Sequence, residues 1–154
     1  MVIKEIKDEQ EKKEISRSVL ESLPNWFGIQ EATENYIRES SKMPFFVALD
    51  ESKVLGFVAI KENTPYTAEV YVMGVIPDSH NQGIGTSLMN KIVQWAKEKG
   101  YEFLQVKTLD ESHPDKYYAK TRRFYTSVGF RPLECLPELW GRDNPCLIMI
   151  RHID

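Results

Sequence analysis

The stretch from Ala68 to Gly100 constrains the fold more than any other part of the chain. Ala68 to Val75 is almost wholly apolar apart from Glu69. A strand without polar alternation needs cover on both faces, which places it near the middle of a sheet. A turn-forming segment follows, Pro77-Asp78-Ser79-His80-Asn81-Gln82-Gly83-Ile84-Gly85, and leads into a helix whose Ile84, Leu88, Ile92 and Trp95/Ala96 make one inner face. Lys97 and Lys99 suit the negative end of that helix, and Gly100 suits its cap. Phe103 to Leu109 reads as the next strand. Strand, helix and strand in this order form a right-handed parallel crossover, which commits the chain to the α/β class.

The flanks make the sheet mixed. Val2 to Ile6 forms a short first strand, and Ile15, Val19 and Leu23 line one face of a helix that begins near Asp8 and ends at Ser22. Leu23-Pro24-Asn25-Trp26-Phe27-Gly28 breaks that helix, and Gln30 to Ser41 forms a second one carrying Tyr36 and Ile37. Phe45 to Leu49 and Val54 to Ile60 pair antiparallel around Asp50-Glu51-Ser52-Lys53. Tyr117 to Val128 is the last helix, stopped by Gly129, and strands at Phe130 to Leu136 and Cys146 to His152 finish the chain. The pattern is a mixed, mostly antiparallel α+β sheet of about seven strands with about four helices, and residues 1–154 suit a single domain.

Charge and cysteine usage exclude several functions. Twenty basic and 23 acidic residues leave a formal charge of -3, so no general attraction to nucleic acid is expected. Cys135 and Cys146 have neither metal-ligand spacing nor the density of a secreted disulfide scaffold, so no metal is expected and the thiols are read as reduced. Met1-Val2-Ile3-Lys4-Glu5 lacks the apolar core of a signal peptide, and no apolar run approaches the ~20 residues needed to cross a bilayer. The expectation is a cytoplasmic protein with no membrane partner, and a homodimer is the commonest assembly for such a chain.

The turn before the long helix is suited to an anion. A helix leaves its first amides unpaired and its dipole positive there, and Gly83 and Gly85 allow a phosphate close to the backbone. Structural glycine in a tight strand-to-helix turn is the competing reading. Gly-Ile-Gly-Thr-Ser-Leu from Gly83 lacks the third glycine of a dinucleotide fingerprint, and no G-K-[ST] exists for a nucleotide P-loop.

Val75-Ile76-Pro77-Asp78-Ser79-His80-Asn81-Gln82-Gly83-Ile84-Gly85-Thr86 resembles the acetyl-CoA pyrophosphate motif of GNAT acetyltransferases, V-x-P-x-x-[RQ]-x-x-G-x-[GA]. His80 stands where the family usually has Arg or Gln, and Asn81 where many members have Gly; Asn tolerates a positive φ. Thr121-Arg122-Arg123-Phe124-Tyr125-Thr126-Ser127-Val128-Gly129-Phe130 is similar to the family's A-x-x-F-Y-x-x-x-G-F helix and turn, with Tyr118 and Thr121 in place of a frequent Asn and Ala. The resemblance covers nearly the whole chain and implies a GNAT-like fold with helices on both faces of the sheet. It also implies acetyl-CoA as co-substrate, held by His80, Asn81, Gln82, Gly83, Ile84, Gly85 and Thr86, with Tyr118 beside the pantetheine arm. Backbone groups of Met73 and Val75 would pair with pantetheine as an added strand, Gly74 permitting a bulge there.

The implied reaction is direct acetyl transfer to a primary amine of a small molecule or peptide. It needs a neutral nucleophile, a stabilised oxyanion and a proton for the leaving thiolate. By resemblance Tyr125 is the general acid; its alternative is a core aromatic beside Phe124. Glu69 lies eleven residues before His80, a spacing similar to that of the base in histone-type members, and shares a strand face with Tyr71, Met73 and Val75. A carboxylate in an apolar strand is costly unless used or paired, although near a strand's start it can be solvated. His113 reads as a turn residue before Pro114, Arg122 and Arg123 as phosphate ligands or a solvated face, and Trp26 and Trp140 as core residues or the border of an acceptor pocket. A non-catalytic acetyl-CoA module, a longer acyl donor and a protein amine as acceptor all remain open at the level of sequence.

Overall fold

The computed structural model describes residues 1–154. The elements are β1 (Val2–Glu5), α1 (Glu9–Glu21), α2 (Gln30–Ser40), β2 (Phe45–Asp50), β3 (Lys53–Glu62), β4 (Thr67–Val75), α3 (Ile84–Lys99), β5 (Phe103–Leu109), α4 (Lys116–Ser127), β6 (Arg131–Leu136) and β7 (Cys146–His152). All seven strands belong to one mixed sheet in the order β1-β2-β3-β4-β5-β7-β6. β4 is thus the fourth of seven, the position its almost wholly apolar run demands. β1/β2, β2/β3, β5/β7 and β6/β7 pair antiparallel. No helix is long and apolar enough to cross a membrane.

The chain forms two compact units, Met1–Lys61 with Val70–Trp95, and Glu62–Glu69 with Ala96–Asp154. In the first, Ile15, Val19 and Leu20 of α1, Leu23 just after it and Ile37 of α2 pack with Phe45, Val47, Phe57, Ala59 and Val72 of the sheet. Each of these side chains larger than Ala59 contributes roughly 1.5–3 kcal/mol when fully buried. The spacing of the α1 residues is the cause of this packing, since helical periodicity stacks them on one side. Asp8 caps α1 by accepting from the Glu11 amide at 2.8 Å, and Arg17 joins α1 to α2 by donating to both carboxylate oxygens of Glu34 at 2.6 and 2.8 Å.

Two glycines permit close approach at the end of β4, Gly74 to the α1 segment and Gly56 to the β4 main chain. A Cβ on Gly74 would stand 2.9 Å from Val19 Cγ1 and 3.1 Å from Leu23 Cδ1, and one on Gly56 of β3 would stand 2.7 Å from the Gly74 carbonyl oxygen. Glycine at 74 is therefore required by the helix lying on it, a reason beyond the expected freedom to bulge.

In the second unit β5 and β7 pair over seven residues, from Phe103 opposite His152 to Leu109 opposite Cys146. Along β5, Leu104, Val106 and Thr108 are buried while Phe103, Gln105 and Lys107 are half-buried, a period of two that gives the strand a distinct second face. α4 starts at Lys116 because Asp115 caps it, accepting from the Tyr117 and Tyr118 amides at 2.8 and 3.1 Å. It stops at Gly129, whose φ of 102° suits glycine.

Candidate functional site

β4 ends at Val75 and α3 begins at Ile84. Between them Pro77–Ser79 make one 3₁₀ turn, His80 is extended, and Asn81 and Gly83 take positive φ values of 63° and 79°. Asn81 therefore fills the left-handed position where sequence reasoning needed it. The Ser87 amide donates to the Gly83 carbonyl at 3.0 Å. This bond opens the α3 ladder, so the amides of Ile84, Gly85 and Thr86 precede any carbonyl of their own helix. Ile84 anchors the start in the core at 6% exposure, with Leu88, Met89 and Ile92 buried behind it.

Gly83 is required by its φ and not by crowding, because a Cβ there would meet nothing within 4 Å. Open space thus lies directly beside the backbone at the positive end of a sixteen-residue helix. That combination fits a phosphate group. Gln82 folds back along the loop, its Nε2 donating to the Asp78 carbonyl at 3.2 Å, and Asn81, Gln82, Gly83 and Thr86 are exposed.

His80 differs from the sequence expectation. Its Nε2 lies 2.7 Å from the Val75 carbonyl oxygen. A carbonyl only accepts, so Nε2 carries the proton and spends it on the backbone and not on a phosphate. The ring also meets Trp26 edge-on, with centroids 5.7 Å apart and an interplanar angle of 85°. The physical reason is that Val75 ends its strand, and His80, five residues later, supplies a donor for its carbonyl. Met73 and Val75 are half-buried and Gly74 is buried, in keeping with the face shared by the odd-numbered residues of β4.

Glu69, also on β4, is buried at 4% exposure, which rules out the solvated reading. Its Oε1 accepts from Asn63 Nδ2 at 2.9 Å and Gln105 Nε2 at 3.0 Å, and Lys107 Nζ stands 3.6 Å away. The two amide donors fix the carboxylate, and the Lys107 ammonium balances its charge. Sequence reasoning missed them, although Gln105 and Lys107 alternating with Leu104 and Val106 carried the signal of a polar face on β5.

Tyr125 is the one buried residue of α4. Its ring lies 5.5 Å from Phe124 and 5.7 Å from Phe130, so the core contact and a chemical role are compatible. Tyr118 is half-buried one turn into the same helix. Arg122 is neither a solvated residue nor turned out for a phosphate: its Nη1 donates to the Leu109 carbonyl at 2.6 Å, tying α4 to the end of β5. Trp26 packs against the core of the first unit. Trp140, 40% exposed, does not act as a core residue. His113 occupies a turn, its amide donating to the Asp110 carbonyl at 3.0 Å. Burial pushes the Cys146 thiol up to about 11, which leaves it a poor nucleophile at neutral pH.

Comparison with known proteins agrees with this arrangement. Residues 7–130 match the family model described as acetyltransferase (GNAT) family. Streptothricin acetyltransferase A of Bacillus subtilis (strain 168) is 32% identical over 76 residues, which take in 49% of this chain and 43% of that protein. The match thus spans less than half of the relative's length. A protein of Desulfovibrio desulfuricans assigned to the GNAT acetyltransferases has the same fold, with a TM-score of 0.85 at 20% identity over 99% of both chains. An aminoglycoside 6'-N-acetyltransferase solved with coenzyme A superposes with a TM-score of 0.76 at 17% identity, covering 100% of this chain and 98% of that one. At such identities the two structures speak for the fold alone, and the family model, which takes in most of the sequence, settles the kinship: this chain belongs to the GNAT family of acetyltransferases.

Proposed function

We propose that the protein transfers an acetyl group from acetyl-CoA to a primary amine by direct attack in a ternary complex. The observation that carries this reading is the open, positive-φ turn at Gly83, set between a central strand and the start of a long helix. The family supports it, and coenzyme A is present in a structural neighbour. When bound, acetyl-CoA supplies an acyl group already activated as a thioester.

The chain's own residues have separable tasks in this scheme. Backbone amides from Gly83 to Thr86 hold the phosphates at the positive end of α3. Met73 and Val75 offer backbone groups to the pantetheine arm, Tyr118 lines it, and an amide of the same stretch donates to the acyl oxygen as charge builds on it. Glu69 takes a proton from the attacking amine, directly or through water. Because its two amide donors and the Lys107 ammonium all lie on the Oε1 side, Oε2 is the oxygen assigned to that proton. Tyr125 returns a proton to the departing sulfur. Neither cysteine is needed as an acyl carrier.

The acceptor is read as a small polar amine, because the curated relative is named for streptothricin and a structural neighbour for aminoglycosides. An amine panel containing both antibiotic classes, simple polyamines and short peptides, with thiol release as readout, tests this. Saturating coenzyme A at 100 times its dissociation constant should stabilise the protein by about 2.7 kcal/mol. Binding without release for any amine would make the chain a cofactor-binding module, and absence of binding would remove the proposal.

A further inference from the structure

We infer that His80 is a positioning residue: it clasps the phosphate loop to the end of β4 through the Val75 carbonyl and couples that loop to the α1–α2 connection through Trp26. The inference rests on the reading of the Gly83 turn as the cofactor site, but its structural half can be judged without cofactor.

Three observations carry it. The His80 Nε2 to Val75 oxygen bond of 2.7 Å spans the 3₁₀ turn Pro77–Ser79, so it fixes where the chain stands immediately before the left-handed Asn81 and Gly83. Gln82 makes a parallel fastening to the Asp78 carbonyl at 3.2 Å; the loop is thus held by its own side chains and leaves its forward amides for a ligand. The same imidazole meets Trp26 edge-on at 5.7 Å. Trp26 lies between α1 and α2, where its amide donates to the Leu23 carbonyl at 3.1 Å, and is packed against the core that includes Leu23 and Val19. One half-buried ring therefore touches both the loop and the connection. A ligand that shifts or stiffens the loop must be felt at Trp26, and a change at Trp26 must be felt by the loop, since coupling between sites is reciprocal.

Two substitutions separate the parts. His80→Ala removes both the hydrogen bond and the ring. His80→Gln keeps an amide N–H near the place of Nε2 and removes the ring. In the ligand-free protein, amide hydrogen exchange across residues 76–86 should be faster in His80→Ala and return towards wild type in His80→Gln. Calorimetric affinity for coenzyme A should fall about two- to tenfold in His80→Ala, the span of one net hydrogen bond, and recover in His80→Gln. Titration with coenzyme A should change tryptophan emission in the wild type; Trp26→Phe should remove that change, and so should both His80 variants.

Unchanged exchange and affinity in His80→Ala would overturn the clasp. A ligand-dependent emission change that survives in His80→Gln would overturn the coupling to Trp26. If wild type binds no coenzyme A, the cofactor reading of the loop fails and with it the coupling, while the exchange data still decide whether His80 holds the loop.

Discussion

Glu69→Gln and Lys107→Met should differ in cost, in an order set by burial. Glu69 Oε1 accepts from Asn63 and Gln105, and Lys107 Nζ stands at 3.6 Å. The Glu69 side chain is 6% exposed and that of Lys107 is 30% exposed. Glutamine at 69 can still present an oxygen to Asn63 and Gln105, and it leaves Lys107 as the unpaired charge, able to reach water. The loss should be about 1–2 kcal/mol, between an exposed pair and a buried one. Methionine at 107 leaves the charge on a carboxylate that water scarcely reaches, and should cost about 3 kcal/mol. Urea denaturation with a common m-value gives both numbers. A larger loss for Glu69→Gln than for Lys107→Met would refute the argument that desolvation of Glu69 dominates this cluster. The same glutamine variant separates structure from catalysis. Turnover with the best amine should fall by ~10²–10⁴ if the carboxylate is the base, and the defect should shrink at high pH, where more acceptor amine is already neutral. A defect independent of pH would leave Glu69 as a positioning residue.

Further expectations can be checked with single variants. Tyr125→Phe keeps the packing on Phe124 and Phe130, so calorimetric coenzyme A affinity should change little while kcat falls by ~10²–10⁴; near-normal kcat would remove the acid assignment. Gly83→Val places a β-branched residue at φ 79° with nothing near its Cβ, so the turn should be strained by about 1–2 kcal/mol, with coenzyme A binding lost and the circular dichroism spectrum kept. Gly56→Ala drives a methyl to 2.7 Å from the Gly74 carbonyl oxygen and should cost about 1–3 kcal/mol, read as a lowered urea midpoint. Iodoacetamide at neutral pH should label exposed Cys135 and spare Cys146, which is buried and has its thiol pushed up to about 11; labelling of Cys146 should appear only on unfolding or as pH approaches that value.

Much of the fold was legible because its elements have strong periods. Ile84, Leu88 and Ile92 announced α3, Ile15, Val19 and Leu23 announced α1, and the run from Ala68 to Val75, apolar apart from Glu69, placed β4 in the middle of the sheet. The phosphate loop was legible at the backbone level, since Asn81 and Gly83 do adopt the positive φ that their residue types permit. Side-chain direction was not. His80 turned back onto Val75 because a strand-end carbonyl needs a donor, and Arg122 turned onto Leu109 in the same way; both bonds depend on how the chain turns between the partners, which residue type alone does not encode. The partners of Glu69 come from positions 63, 105 and 107, and only a sheet order known in advance would have gathered them.

The paired glycines at 56 and 74 restrict how such a sequence can change over generations. A methyl at 56 meets the backbone oxygen of 74, and a methyl at 74 meets the tips of Val19 and Leu23. A larger residue at 74 is therefore acceptable only after trimming at 19 or 23, and no trimming of side chains makes room at 56, where the obstacle is main chain. Among descendants of this sequence, position 56 should stay glycine wherever β3 and the end of β4 keep their spacing, while 19, 23 and 74 should vary together, and a pairwise library at those three sites would show viable combinations whose single steps are unfit.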